Sequence, residues 1–462
     1  LNYLSTRGGA LRVGFDQALL RGIAPDGGLY LPDAWPAIDA AAIRAIAGRP
    51  YAETAERVLA AYAGSALPAE APKAAAQRLV DTFHHKAITP LVQLEEDLWL
   101  LELFHGPTAA FKDLAMQMMA PLTEGALSKA NERLLLLTAT SGDTGAAAVR
   151  AFAGSQRTAL AVLHPLDRVS PVQRRQMTTV EAPNVLNLAV RGDFDDCQRL
   201  VKALLADETL REQRRLSSVN SINWGRLAGQ IPYYLFAAAS LGAPDRRVRF
   251  VVPTGNFGDA FAGWATKAMG LPIAGLVAAV NSNDALARAI NDGVYARRAA
   301  TPTASVSMDV QAPSNFERLA FEASGRDAAT TRDLFEAFAR DGEVSVEPGL
   351  LDALRREVTA LSIDETATAA EIAHAWKAWG RIVCPHTAVG LAAARRLPKA
   401  DGPTVVLSTA HPAKFPEFVS GVLGFNPPEP PSFAAFGECE ERLTVIDADL
   451  AAAKAAVRSL GA

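Results

Sequence analysis

What the chain lacks narrows its reading first. Its 462 residues include 3 cysteines, none at the short spacing of a zinc site or a redox pair. Cys197 falls in a helical pattern, Cys384 precedes Pro385, and Cys439 lies near the end. Buried or incidental thiols of a reducing cytosol are expected, and with them a cytoplasmic location. The formal net charge is -4, without the basic excess of a nucleic-acid binder. No apolar run is long enough to cross a bilayer; Ala274 to Val280 has the length of a core strand, and Leu1 to Arg7 lacks the apolar core of a signal peptide. The patterns G-x-G-x-x-G, G-K-[ST], G-x-S-x-G and H-E-x-x-H are absent, which argues against a dinucleotide site, a Walker site, an esterase elbow and a zinc protease. His84 and His85 are adjacent and point apart, so no metal site is expected. No internal repeat is found.

What is present is an ordinary globular composition, 49% hydrophobic and 21% charged, at a length of two or three domains. One stretch organises it. Leu101-Glu102-Leu103-Phe104-His105-Gly106-Pro107-Thr108-Ala109-Ala110-Phe111-Lys112-Asp113-Leu114 brings an apolar run through a turn into a helix that Thr108 can cap. Lys112 falls in the first turn, where the helix dipole disfavours an ammonium and small apolar neighbours desolvate it. A neutral amine is the form that attacks a carbonyl carbon, so Lys112 reads as a Schiff-base lysine for an aldehyde such as pyridoxal phosphate. The alternative is a snorkelling surface lysine at a helix start.

Residues 1–94 show no β–α alternation. Ala-rich helical patterns around 40–47 and 51–63, interrupted by Pro68 and Pro72, predict a small, mostly helical domain. From Leu134 the pattern becomes strand–turn–helix. Strands are predicted at 134–137, 159–163, 185–190, 248–252, 275–280 and 404–407, with a short extended piece at 217–220. Ser170-Pro171 and Asp193 signal helix starts, a long helix is predicted from Trp224, and helices dominate 315–397. Such repetition means parallel sheets covered by helices, with ligands at the carboxyl ends of the strands.

The polar loops sit at those ends. Gly255-Asn256-Phe257-Gly258-Asp259 lies between a strand and a helix, as a phosphate cradle does, although many such turns serve only packing. Thr140-Ser141-Gly142-Asp143-Thr144-Gly145 suits a substrate carboxylate or phosphate, or else plain capping by Ser141 or Asp143. Asn220-Ser221-Ile222-Asn223-Trp224-Gly225-Arg226 places an arginine one turn inside a helix, where it either clamps an oxyanion or lies on the surface. His411, before Pro412, is either structural or pocket-lining.

These loops, with Tyr3-Leu4-Ser5-Thr6-Arg7-Gly8, Asp26-Gly27-Gly28-Leu29-Tyr30-Leu31-Pro32 and Ala410-His411-Pro412-Ala413-Lys414-Phe415, resemble in order and over the whole chain the threonine synthases. That family belongs to the tryptophan-synthase-β-like group of pyridoxal phosphate enzymes. The long N-terminal section and Asp143 resemble its longer bacterial and fungal branch. The resemblance implies an α/β fold with two doubly wound parallel-sheet domains and a mostly helical N-terminal domain. The boundaries it implies are 1–94 for the N-terminal domain, 95–130 with 229–462 for the large cofactor domain, and 131–228 for the small substrate domain.

It also implies roles. Lys112 holds pyridoxal 5'-phosphate as an imine and shuttles protons. Gly255, Asn256, Phe257, Gly258 and Asp259 hold the cofactor phosphate, and Thr409 bonds the pyridine nitrogen. Thr140, Ser141, Gly142 and Thr144 bind the substrate carboxylate, with Asp143 near the cofactor's 3-oxygen. There an ionised carboxylate would repel a phenolate. Ser221, Asn223 and Arg226, joined by Lys414, grip the substrate phosphate. Cys384 carries no implied role. The implied reaction converts O-phospho-L-homoserine and water to L-threonine and phosphate, by a monomer or homodimer with no nucleic-acid or membrane partner. A phospho-lyase releasing 2-oxobutyrate is the alternative within the class. A nucleotide-binding dehydrogenase and an inactive ligand-binding paralogue are the alternatives outside it.

Overall fold

The computed structural model describes residues 1–436 and 439–460. Two open sheets organise them. The larger orders its six strands Thr359–Ser362, Ile273–Val280, Val248–Pro253, Thr404–Ser408, Leu98–Glu102 and Leu91–Gln93. All neighbours are parallel except the last pair. The smaller orders five parallel strands: Thr444–Asp447, Val185–Arg191, Thr158–Pro165, Leu134–Ala139 and Arg215–Ser217. Leu134–Ala139 and Thr158–Pro165 are buried throughout. Continuous rather than alternating apolar runs are what a parallel strand covered on both faces requires.

Three expectations change. The helix predicted from Trp224 is two: Trp224–Ala228 ends at Gly229, and Ile231–Ser240 restarts with Pro232 in its first turn. A proline there needs no N–H of its own, so it begins a helix rather than breaking one. The helical region 315–397 also hides the edge strand Thr359–Ser362, which pairs with Ile273–Val280. Its four residues follow directly on a helix and offer too short a run for the period-two pattern to show. Finally, residues 229–462 do not all go with the larger sheet: Thr444–Asp447 pairs with Val185–Arg191 in the smaller one. The helix Leu450–Ser459 follows it, burying Ala453 and Val457 in the same core as Leu200 and Leu204.

The N-terminal region carries four helices and the antiparallel pair Tyr3–Ser5 with Tyr30–Pro32. Its aromatic side chains meet the start of the helix at Trp224. The rings of Tyr3 and Tyr62 lie 5.8 and 5.5 Å from that indole. This packing fixes the 220–226 loop from one side.

Candidate active site

Leu98–Glu102 and Thr404–Ser408 run side by side, and their continuations stay together. Phe111 N–H donates to Thr409 O (2.7 Å) and His411 N–H to Ala109 O (3.0 Å). Thr409 is therefore placed beside the start of the helix Lys112–Ala130, where Lys112 is the first helical residue. Thr108 does not cap that helix. Its N–H and hydroxyl both donate to Asp113, at 2.8 and 2.7 Å, which locks the turn. Burial pushes the Asp113 carboxyl up to about 6 against these bonds.

Lys112 is not a surface lysine; its side chain is 13% exposed. Burial lowers its ammonium from the ordinary lysine value, Asp143 opposes this, and Arg226 and Lys414 add to the lowering. The Nζ atom donates to Asp143 Oδ2 (3.3 Å) and to Ser307 Oγ (3.2 Å). Asp143 opens the helix Asp143–Phe152. It also accepts from Gln173 Nε2 (2.8 Å), and Lys414 Nζ lies 2.9 Å from its Oδ1. Burial alone would neutralise this carboxyl, but the ammoniums of Lys414 and Lys112 overcome it and hold Asp143 ionised, well below the usual carboxylate range.

Neither Ser141 nor Asp143 caps its helix, whose N-cap is Gly142. Thr140 Oγ instead accepts from the N–H of Gly142 and of Gly145, both at 2.9 Å. Gly142 has φ 141°, and an added Cβ would lie 2.4 Å from Gln173, so the turn needs glycine twice over. Ser141 is exposed and Thr144 partly buried at the open side of this turn.

The glycine loop follows Val248–Pro253. A Cβ on Gly255 would lie 2.5 Å from Ser307 O, so only glycine lets these two backbones approach. Phe257 adopts φ 62° and is buried, and the helix Gly258–Ala268 starts after it. Among the described residues, no acceptor meets the N–H groups of Asn256, Phe257 or Gly258. Asp259 turns away: Tyr233 and Tyr234 donate their hydroxyls to its Oδ1, and burial raises its carboxyl to about 6. Its backbone belongs to the loop, but its side chain does not line it.

Arg226 is 2% exposed, so it is not a surface arginine. It donates one N–H to Val219 O (3.0 Å), its Nε has no partner, and burial lowers it to about 10. Among the described residues Arg226 has no carboxylate partner, so its guanidinium keeps donors that no protein acceptor uses. Asn223 differs from expectation. It caps Trp224–Ala228 and gives both amide protons away, to Leu19 O (2.8 Å) and Ser218 O (3.1 Å), leaving none for a phosphate. Lys414 differs likewise: its three N–H groups meet Thr108 O, Gln176 Oε1 and Asp143. Ser221 lies beside the glycine loop, where Asn315 Nδ2 clips Ser221 O to Asn256 O at 3.1 Å each.

Ser307, His386, Gln173, Gln176 and Asn315 join the site without having been singled out from the sequence. His386 Nε2 accepts from Ser307 N–H (3.2 Å), and burial keeps the ring neutral, lowered to about 4. Cys384, given no role from the sequence, caps the helix Pro385–Arg395 by accepting from Thr387 N–H. His411 does both things its sequence allowed: its Nδ1 accepts from Ala413 N–H (3.2 Å), and its ring lines a cavity. A cavity of about 300 Å³ lined by Glu102, Phe104, Arg381 and His411 adjoins the site behind Ser408. A larger one, about 570 Å³, lies between Glu132–Leu135 and Arg211–Arg215 and holds none of the site residues. Among the described residues no cluster of metal-binding side chains occurs, and no helix is long and apolar enough to cross a membrane.

Three family models match the sequence: "Threonine synthase N terminus" over residues 2–78, "Pyridoxal-phosphate dependent enzyme" over 82–348, and "Threonine synthase, C-terminal" over 387–457. Threonine synthase of Pseudomonas aeruginosa is 42% identical over 100% of this chain and 99% of its own. Pyridoxal-phosphate-bound threonine synthase from Brucella melitensis superposes with a TM-score of 0.96 at 46% identity, over 99% of both chains. The yeast threonine synthase structure gives 0.92 at 34% identity, over 99% of this chain and 98% of its own.

Proposed function

Because the chain belongs to the threonine synthase family of pyridoxal-phosphate-dependent enzymes, we propose that it converts O-phospho-L-homoserine and water to L-threonine and phosphate. The observation that carries this reading is the pairing of two different anion sites around one buried lysine. The glycine loop offers backbone N–H groups at a helix start and no side-chain charge, which suits a resident cofactor phosphate. Arg226 offers a desolvated guanidinium to a second phosphate, that of the substrate.

The residues fit pyridoxal 5'-phosphate. Lys112 faces the site with a nitrogen that burial moves toward its neutral form. The open N–H groups of residues 256–258 would take the phosphate, and Thr409 would offer the ring nitrogen a hydroxyl rather than a carboxylate. When bound, the cofactor would supply an electron sink that acidifies hydrogens of the substrate. The Lys112 amine would move protons between neighbouring substrate carbons. The turn from Thr140 to Thr144 receives the substrate carboxylate, and Arg226 with Ser221 holds the leaving phosphate. Asn223 and Lys414 act by position. Asn223 shapes the loop that carries Arg226. Lys414 remains the counter-ion of Asp143, so an ionised Asp143 would not present an uncompensated charge to a bound cofactor.

We read the domain division as residues 1–94, 95–130 with 229 onward, and 131–228, amended so that the strand Thr444–Asp447 and its helix accompany the small unit. The test is an assay of purified protein with phosphohomoserine, measuring threonine, phosphate and 2-oxobutyrate. Threonine in equal amount to phosphate is expected; 2-oxobutyrate in its place would select the lyase.

A further inference from the structure

Ser307 lies in the tight turn Val306–Met308, in the stretch of chain between the strands Val294–Ala296 and Glu343–Ser345, which pair with each other. Nothing local requires a serine there. Three restraints hold it still. Its N–H donates to the neutral His386 ring (3.2 Å), and its carbonyl lies against Gly255, where no Cβ fits. The turn around it is tied by Asn281, whose Nδ2 shares its two protons among Thr303 Oγ (2.8 Å), Ser305 Oγ (3.0 Å) and Asp309 Oδ1 (2.8 Å). The Ser307 hydroxyl is thereby presented at a fixed place. It accepts from Lys112 Nζ (3.2 Å) and donates to Asp143 Oδ2 (3.2 Å), closing a triangle whose third side is the 3.3 Å contact of Lys112 with Asp143.

We propose that Ser307 is the positioning residue for the free Lys112 amine: its hydroxyl links the lysine nitrogen to Asp143 and holds it beside the glycine loop whenever it is not bonded to the cofactor. An amine released from an imine is a long, flexible side chain whose rotamers would otherwise scatter it. A hydroxyl that accepts from the ammonium and donates its own O–H to a carboxylate favours the charged amine from both ends. Ser307 thus works against the desolvation that lowers Lys112, so that the group can both take and return a proton. The charged groups facing Lys112 are Asp143, Lys414 and Arg226, and His386 faces it as a neutral ring. None of these need change for Ser307 to act.

The inference rests on Lys112 being the cofactor lysine, but its test does not use the reaction. Full-length protein freed of aldehyde is acetylated competitively across a pH series, and the Lys112 peptide is quantified by mass spectrometry. Ser307→Ala is expected to lower the Lys112 midpoint by about one pH unit, the scale of one hydrogen bond to a charged group. Ser307→Cys, a poorer acceptor of similar size, should lower it too, and Ser307→Thr should restore it. The backbone bond to His386 survives all three changes. Midpoints in Ser307→Ala and Ser307→Cys equal to that of the unaltered chain would overturn the proposal. Failure to find the cofactor on Lys112 would overturn the functional reading instead.

Discussion

Lys414 and Asp143 form a buried ion pair, Nζ to Oδ1 2.9 Å, with side chains 0% and 4% exposed. The other two protons of that ammonium go to Thr108 O (2.7 Å) and Gln176 Oε1 (2.9 Å). Through one nitrogen, the turn before the Lys112 helix, the helix Pro171–Thr178 beside the small sheet and the tail of the large sheet are joined. Removing one partner of such a pair leaves the other charge stranded, whereas removing both does not.

Lys414→Met is therefore expected to destabilise the chain by about 3–5 kcal/mol in urea denaturation. Lys414→Met with Asp143→Asn should recover a large part of that loss. If the double variant is as unstable as the single one, the pair is not what the lysine contributes.

Arg226 predicts an opposite balance of stability and function. A buried guanidinium with an unpartnered Nε is a cost to folding. Arg226→Met is expected to leave stability equal or higher and cofactor bound. It should weaken phosphohomoserine binding by about 2–4 kcal/mol, as for loss of one member of a desolvated charge pair. Calorimetric titration and thermal melts read the two separately. Lost cofactor with normal substrate binding would mean that the two phosphate sites are interchanged.

Asp259 gives a pH prediction. Its carboxyl titrates near 6 in the fold and near 3.8 unfolded. The folded state thus binds that proton more tightly, and stability falls as pH rises from about 4 to about 6. That is about 3 kcal/mol at neutral pH, offset in Asp259→Asn by an unpaired amide of about 1–2 kcal/mol. The variant should be the more stable by about 1–2 kcal/mol at pH 7.5, and should lose that advantage below pH 4. A difference between variant and unaltered chain that does not change with pH would contradict it.

Much of this site was legible in the sequence because its parts are local. A lysine at a helix start, a glycine loop after a strand and an arginine one turn into a helix each fall within a few residues. The strands Leu134–Ala139 and Thr158–Pro165 were legible for the same reason, as unbroken apolar runs. The parts that were not legible are products of distance. Ser307 reaches Lys112 across 195 residues and Lys414 reaches Gln176 across 238, and no pattern in either segment marks the partner. Asn223 and Lys414 carry the residue types of anion ligands. Only their counted hydrogen bonds show that backbone carbonyls and Asp143 already occupy them. The strand Thr444–Asp447 escaped because a four-residue edge strand adds to its sheet after a long excursion through the larger one.

The central claim is that Lys112, and not its neighbour on the far side of Asp143, carries the cofactor. Borohydride reduction of the purified protein, followed by peptide mass mapping, tests it most directly. A pyridoxyl group on the Lys112 peptide is predicted, together with a folded Lys112→Ala protein that takes up no label and shows no imine absorbance. A label on Lys414, or on the more exposed Lys267, would contradict the account.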